Sequence, residues 1–121
     1  MTVPVNTDGT SSVYGGDRLG AYTGSRYLES LRDGRNEIWY KGERAKDVTT
    51  HPELRGMAES IARIYDMQHE PATRDQMTYE EENGLRCSYS YYLPHSVEDL
   101  KKRRGNTEIW VDEVYGMCGR L

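Results

Sequence analysis

The stretch TTHPELRGMAESIARIYDMQHEP, residues 49–71, carries the clearest periodic pattern in the chain. Apolar residues recur in it at the i, i+3, i+4, i+7 spacing that places them on one face of an α-helix. This stripe comprises Leu54, Met57, Ala58, Ile61, Ile64 and Tyr65, and the polar Gln68 completes it. Thr50 is a candidate N-cap, Pro52 suits the first turn, and Pro71 ends the segment. The sequence therefore predicts an amphipathic helix over residues 52–68.

Shorter elements are predicted around this helix. SRYLESLRDGR, residues 25–35, has a helical face and a glycine, Gly34, that can stop the helix in the left-handed conformation. EIWYKGERAKD, residues 37–47, is typical of a β-hairpin with a Lys-Gly turn. A short helical turn is expected near Arg74 and Gln76. MTYEEENGLRCSYSYYLP, residues 77–94, predicts a second hairpin on its Asn-Gly turn. Its second strand would place Cys87, Tyr89 and Tyr91 on one face.

The last segment predicts a helix over residues 97–118. Ser96 and Asp99 have the spacing of a capping box. The predicted apolar stripe of this helix comprises Val97, Leu100, Thr107, Trp110, Val111, Val114 and Cys118. Residues 1–22 show no periodicity and are expected to form a flexible tail, so that residues 23–121 make up the one domain. The expected fold class is mainly α with two small β-hairpins.

Composition limits the kind of partner. The chain has 121 residues, a net charge of −4, ten Tyr and no Phe. Its negative charge disfavours nucleic acid, and no apolar run approaches the roughly 20 residues of a membrane span. The N-terminus lacks the features of a secretory signal, so a cytoplasmic location with Cys87 and Cys118 as buried thiols is expected. A core this poor in apolar residues often completes itself against a partner.

Spacing alone indicates no catalytic centre and no metal site. His51, His69 and His95 fall on three separate elements, without the pairing that a zinc site usually needs. The basic run over residues 101–104 would point in four directions on a helix, which is typical of a solvated face. Arg120 is next to the last residue, and on spacing alone a charge at this position would be solvated.

Several motifs, taken in order, resemble one known family. They are YLESLRDGR, DVTTHP, YDMQHEP, MTYEEENG and the helix that runs into YGMCGRL, between residues 23 and 121. In order and spacing the chain resembles the N-terminal domain of the oxygenase component of 4-hydroxyphenylacetate 3-monooxygenase. That family also includes chlorophenol and related phenol monooxygenases. Its fold has an N-terminal helical domain, a β domain and a C-terminal helical bundle used for tetramer assembly, arranged as in acyl-CoA dehydrogenases.

The resemblance implies a cofactor and partners. These enzymes are two-component: a separate flavin reductase supplies reduced FAD, and the oxygenase uses it with dioxygen. A C4a-hydroperoxyflavin then hydroxylates a phenol next to its hydroxyl group. The segments that contact the flavin lie mostly in the later domains, so no cofactor-binding residue is assigned in this chain. The implied partners are a larger subunit carrying the β and C-terminal helical domains, the reductase, and a phenolic small molecule, within an oligomer.

One substrate-binding residue is implied by the same resemblance. In the family a Gly-Arg-x-Pro-Asp motif follows this helix, and its arginine lines the phenol pocket. Gly119, Arg120 and Leu121 match its first three positions. Arg120 is therefore the pocket residue expected here, on condition that another part of the oxygenase completes the pocket.

Three interpretations stay open at this point. The chain is the N-terminal portion or small subunit of a phenol monooxygenase, inactive without the remaining domains. Alternatively it is a non-catalytic remnant or an interaction module that binds a full-length oxygenase. The third interpretation is a fragment of a longer gene.

Overall fold

The structure is a computed structural model and describes residues 20–117. Within this range the helices are α1 (Gly24–Ser30), α2 (Arg55–Met67), α3 (Arg74–Met77) and α4 (Val97–Glu113). The strands are β1 (Ile38–Tyr40), β2 (Glu43–Ala45), β3 (Thr78–Glu80) and β4 (Arg86–Ser88), followed by a 3₁₀ turn at Tyr89–Tyr91. The predicted class, mainly helical with two small antiparallel hairpins, is confirmed.

The first hairpin joins β1 to β2 through the predicted Lys41-Gly42 turn. Both residues have positive φ, 49° and 79°, as a two-residue turn of the primed kind requires. Ile38 pairs with Ala45 and Tyr40 with Glu43. Ala45 is buried, which anchors the base of the hairpin to the domain.

Helix α2 starts later than the sequence predicts. It begins at Arg55, and its N-cap Leu54 makes no side-chain capping bond, so the prediction of Thr50 as N-cap is wrong. The carboxylate of Asp47 explains the difference, because it accepts from the amide and hydroxyl of Thr49 at 2.8 and 2.6 Å. The preceding residues are therefore held in turns that lead into the helix. Met57, expected on the apolar stripe, is 68% exposed.

The core lies where the end of α2 meets α3 and α4. It consists of Ile64, Met67, Met77, Trp110 and Val114. Met77 is fully buried, so the short helix α3 also contributes a residue to the core.

Helix α4 begins where it is predicted to begin, but it is less buried and shorter than predicted. Its first turn is capped as predicted, since Ser96 Oγ accepts from the Asp99 amide at 3.1 Å. Val97 and Leu100, however, are 67% and 54% exposed, so the N-terminal half of the predicted stripe faces away from the core. The helix ends at Glu113 rather than 118. Cys118 lies outside the described residues.

The second hairpin is shorter than expected. Strand β4 ends at Ser88, whose hydroxyl accepts from the Ser90 amide at 3.2 Å and turns the chain into the 3₁₀ segment. The predicted shared strand face of Cys87, Tyr89 and Tyr91 is therefore wrong. Cys87 is half-buried rather than buried. Tyr89 packs its ring against Tyr79 at 5.3 Å.

The predicted tail is described only at its last three residues. The amide of Ala21 donates to the carbonyl of Arg86 at 2.8 Å. The carbonyl of Tyr22 lies 3.0 Å from the Nε2 atom of His69. These contacts lay residues 20–22 between the second hairpin and the end of α2.

Candidate functional site

The C-terminal end of α4 is the part of the described structure nearest in sequence to Arg120. Arg120 itself lies outside the described residues, so its role stays a prediction. The helix closes with two hydrogen bonds, from the Gly116 amide to the Val111 carbonyl at 2.9 Å and from the Tyr115 amide to the Asp112 carbonyl at 3.3 Å. This pair of bonds defines a Schellman motif. These bonds hold the backbone of residues 114–116 at the end of α4.

An ion-pair network fastens this end of α4 to α2. Arg63 Nε donates to Glu113 Oε1 at 3.1 Å, and the same guanidinium pairs with Glu70 through its other nitrogens. The pKa of Arg63 is raised, chiefly by its hydrogen bond to Glu70. Its side chain is 44% exposed, so water screens the pairs and their free energy is small. Beside them Val114 is buried in the core. The network therefore links the end of α4 to α2 but adds little stability.

The YDMQHEP motif, residues 65–71, fastens α1 to α2. The Tyr65 ring stacks on Tyr27 at 4.9 Å between centroids, and the Asp66 carboxylate accepts from the amide of Gly24 at 2.7 Å. His69 contacts the chain just before α1. Through these contacts the motif holds α1 and the residues before it against α2.

The DVTTHP motif, residues 47–52, builds the junction between the first hairpin and α2. Arg32 Nε donates to Thr49 Oγ1 at 3.0 Å and lies 3.5 Å from Asp47 Oδ2, so this junction also contacts the end of α1. Hydrogen bonds from Thr49 lower the pKa of Asp47. The His51 ring meets Tyr40 edge-on at 5.6 Å, and its Nδ1 accepts from the Glu53 amide at 3.2 Å.

The histidines are not brought together. His95 lies before α4, where its amide donates to Asp99 Oδ2 at 3.0 Å. Among residues 20–117, no three His, Cys, Asp or Glu side chains are grouped as potential metal ligands.

Side chains of the protein accept hydrogen bonds from backbone amides at the starts of two helices. At α1, Thr23 Oγ1 accepts from Arg26 and Asp66 accepts from Gly24. At α4, Ser96 accepts from Asp99. Free amides at a helix start are a common cradle for the phosphates of a cofactor. At α1 and α4 these caps take up part of the free amide groups.

The basic run at residues 101–104 lies on α4. Lys101 pairs with Glu98 at 2.9 Å and Arg104 with Glu108 at 2.8 Å, both along the same helix and both largely exposed. Arg103 instead turns back to the carbonyl of Ser90 at 3.5 Å. The side chains thus diverge, as the sequence predicts. No helix within the described range combines the length and the hydrophobicity needed to cross a membrane.

Large apolar side chains stay exposed in several places among residues 20–117. Near the start of α4 they are Tyr91, Leu93, Val97 and Leu100. Trp39 on β1 and Met57 on α2 are exposed as well. After α4, Tyr115 and Met117 are 92% and 84% exposed. Composition predicted an incompletely covered core, but periodicity could not say which residues lie outside it. Tyr115 was missed because its only sequence signal is its place before a glycine.

Comparison with known proteins assigns the family. The model described as 4-hydroxyphenylacetate 3-hydroxylase N terminal matches residues 23–121. The 4-hydroxyphenylacetate 3-monooxygenase oxygenase component of Thermus thermophilus is 45% identical over 100 residues, which are 83% of this chain and 21% of that protein. The oxygenase component of a 4-nitrophenol 4-monooxygenase/4-nitrocatechol 2-monooxygenase from Rhodococcus opacus is 43% identical over 94 residues, 78% of this chain and 18% of the relative.

A solved structure agrees with these matches. The crystal structure of a 4-hydroxyphenylacetate 3-monooxygenase oxygenase component with FAD and 4-hydroxyphenylacetate superposes with a TM-score of 0.77 at 44% identity. The match covers 82% of this chain and 21% of that one, so the present chain spans about a fifth of the length of these relatives. The chain belongs to the 4-hydroxyphenylacetate 3-hydroxylase family, as its N-terminal domain.

Proposed function

We propose that this chain supplies the N-terminal domain of the oxygenase component of a two-component, FAD-dependent phenol monooxygenase. The proposal is carried by the family match over residues 23–121, which agrees with 45% identity over 100 residues to the Thermus thermophilus oxygenase component. A TM-score of 0.77 to an oxygenase holding FAD and a phenol agrees with both. On this proposal the domain packs, in an acyl-CoA-dehydrogenase-like arrangement, against β and C-terminal helical domains within an oligomer in the cytoplasm.

The proposed reaction places a hydroxyl group next to the phenolic oxygen of the substrate. Reduced FAD, delivered by a separate reductase, supplies this chemistry together with dioxygen when it is bound. We assign flavin binding mainly to the domains outside this chain, because the chain spans only about a fifth of the length of a relative solved with FAD. The 121-residue chain alone should then have no hydroxylase activity.

Arg120 has the proposed role of contacting the phenolic oxygen. A guanidinium is always charged at physiological pH, and an opposite charge within about 4–6 Å lowers the pKa of an acid. Arg120 would therefore favour the phenolate, whose ring donates electrons more readily than that of the neutral phenol. The Schellman motif at Gly116 and the Arg63–Glu113 pair support this role, because they hold in place the helix end that precedes Arg120 in the sequence.

The proposal is tested in a hybrid oxygenase, in which residues 23–121 replace the matching stretch of the Thermus thermophilus relative. With a flavin reductase, NADH and 4-hydroxyphenylacetate, the hybrid should bind FAD and form the hydroxylated product. A hybrid that assembles and binds FAD but forms no product would contradict the proposal. The free 121-residue chain should not retain FAD through gel filtration, and stoichiometric FAD on it would contradict the assignment of flavin binding to other domains.

A second candidate is a non-catalytic module that binds a full-length oxygenase. The exposed apolar surfaces favour it as much as they favour a domain of the enzyme. Mixing the free chain with the intact relative separates the two candidates. A module would form a complex with the intact protein. A domain of the enzyme would not bind, because the intact protein already contains its own N-terminal domain.

A further inference from the structure

The end of α4 holds an aromatic residue in a conformation that favours glycine. Tyr115 has a φ of 53° at the position where a Schellman motif usually has glycine. An L-residue with a Cβ atom is disfavoured there by contact with the backbone. No contact of the Tyr115 side chain within residues 20–117 compensates for this strain, because the ring is 92% exposed and its hydroxyl has no hydrogen bond there.

A second local preference is broken one turn earlier. Asp112 lies in the last turn of α4, where the partial negative charge of the helix end disfavours a carboxylate. Glu113 in the same turn is compensated by Arg63, but the side chain of Asp112 has no ion pair in the described part of the chain. Two exposed neighbours thus oppose the stability of the helix end. Residues that are unfavourable in their local conformation or helix position are concentrated at functional sites.

The helix end that carries these residues is itself rigid. Val114 is buried in the core, the Arg63–Glu113 bond ties the last turn to α2, and the Schellman bonds fix the backbone of Tyr115. An exposed tyrosine on a rigid support loses little conformational freedom on binding, and tyrosine is enriched among the residues that dominate interfaces. The usual apolar contact across the motif is also missing, since Gly116 has no side chain to meet Val111.

We propose that Tyr115 is a docking residue for the part of the oxygenase that follows this domain in its relatives. The inference rests on the proposed function. The relatives match this chain over about a fifth of their length, and the matching model is N-terminal, so their polypeptide continues from this helix end into the remaining domains. The proposed surface there is an apolar pocket for the Tyr115 ring, with a basic side chain that faces Asp112.

The proposal predicts opposite effects of one substitution in two proteins. In the free chain, Tyr115→Gly removes the strained Cβ and should raise the thermal midpoint by about 4 °C. In the hybrid oxygenase, it removes the docked ring and should lower the midpoint by a similar amount. Tyr115→Phe keeps the ring and the strain, so both midpoints should stay near those of the parent proteins.

Lys41→Gly is the matched control. Lys41 also has a positive φ, 49°, but lies in the first hairpin far along the chain from α4. Its shift should have the same sign in the free chain and in the hybrid. A destabilised free Tyr115→Gly chain, or a hybrid that gains stability from that substitution, would overturn the docking role.

The experiment separates this inference from the proposed function. A hybrid that assembles without forming product contradicts the proposed function, while its midpoints still decide the role of Tyr115. A hybrid that forms product but gains stability with Tyr115→Gly contradicts the docking role alone. A hybrid that fails to assemble with tyrosine as well as with glycine at this position contradicts both.

Discussion

Asp66 Oδ1 accepts a 2.7 Å hydrogen bond from the backbone amide of Gly24, which ties α2 to the first residue of α1. The approach is so close that a Cβ atom on Gly24 would lie 2.5 Å from the carbonyl oxygen of Ala62. Glycine at this position is therefore required by packing and not by backbone conformation. The contact places α1, and with it residues 20–22, against the end of α2.

We expect Gly24→Ala to destabilise the domain by about 1–3 kcal/mol, because the added methyl group must push α1 away from α2. Urea unfolding of the 121-residue chain measures this. Gly105→Ala is the control, since a Cβ there meets nothing within 4 Å and alanine is favoured inside a helix by about 1 kcal/mol. If both substitutions change the free energy of unfolding in the same direction, the close packing of Gly24 against α2 is contradicted.

Glu113→Gln removes the ion pair that links α4 to Arg63. Because both side chains are more than a third exposed, the loss should be below about 1 kcal/mol and should vanish near 1 M salt. Glu108→Gln, which affects only a pair within α4, should cost still less. Chemical denaturation by urea at low and high salt checks both variants. A loss that persists at high salt would show that Glu113 acts through packing instead.

Acid should weaken the start of α4. The hydrogen bond from the His95 amide, followed by that from Ser96, holds the pKa of Asp99 below its usual value. A carboxyl group whose pKa is lowered by folding adds stability above its unfolded pKa of about 3.9, and this is lost as pH falls through the folded pKa. Asp99→Asn should therefore be less stable at pH 7 and lose less stability between about pH 5 and pH 2. Identical pH profiles for the two proteins would contradict the assignment.

Arg120→Ala should lower turnover of the hybrid oxygenase at least about tenfold, a change worth about 1.4 kcal/mol in the barrier, while assembly and FAD binding persist. The loss should shrink as pH rises toward about 10, where a free phenol ionises without help. Arg104→Ala is the control, since Arg104 is exposed and, among residues 20–117, pairs only with Glu108. Turnover that is unaffected by Arg120→Ala at neutral pH would remove Arg120 from the phenol pocket.

Local sequence patterns predicted which turns and caps this domain forms better than they predicted which helix faces are buried. The Lys41-Gly42 turn and the Ser96 cap depend on neighbouring residues alone, and both are as predicted. The burial of Val97 and Met57 depends on which neighbour packs against each helix face. A periodic stripe shows that a face is apolar, but a domain that matches a fifth of its relatives leaves part of that face uncovered.

The candidate site was predicted less completely. The family motifs were identified from the sequence, but their contacts were not, because Asp66 and Gly24 are 42 residues apart and meet only in the folded domain. The proposed docking role of Tyr115 depends on its positive φ. The sequence shows only that this residue precedes a glycine, and this does not reveal its φ.

The central claim is that this chain is a working part of a phenol-hydroxylating oxygenase. The direct test is product formation by the Thermus thermophilus relative without its matching N-terminal stretch, with and without this chain added as a separate polypeptide. The account predicts that the two polypeptides co-purify and that, with reductase, NADH and 4-hydroxyphenylacetate, product forms only when both are present. Equal product without this chain, or none from a complex that contains both polypeptides and FAD, would contradict the account.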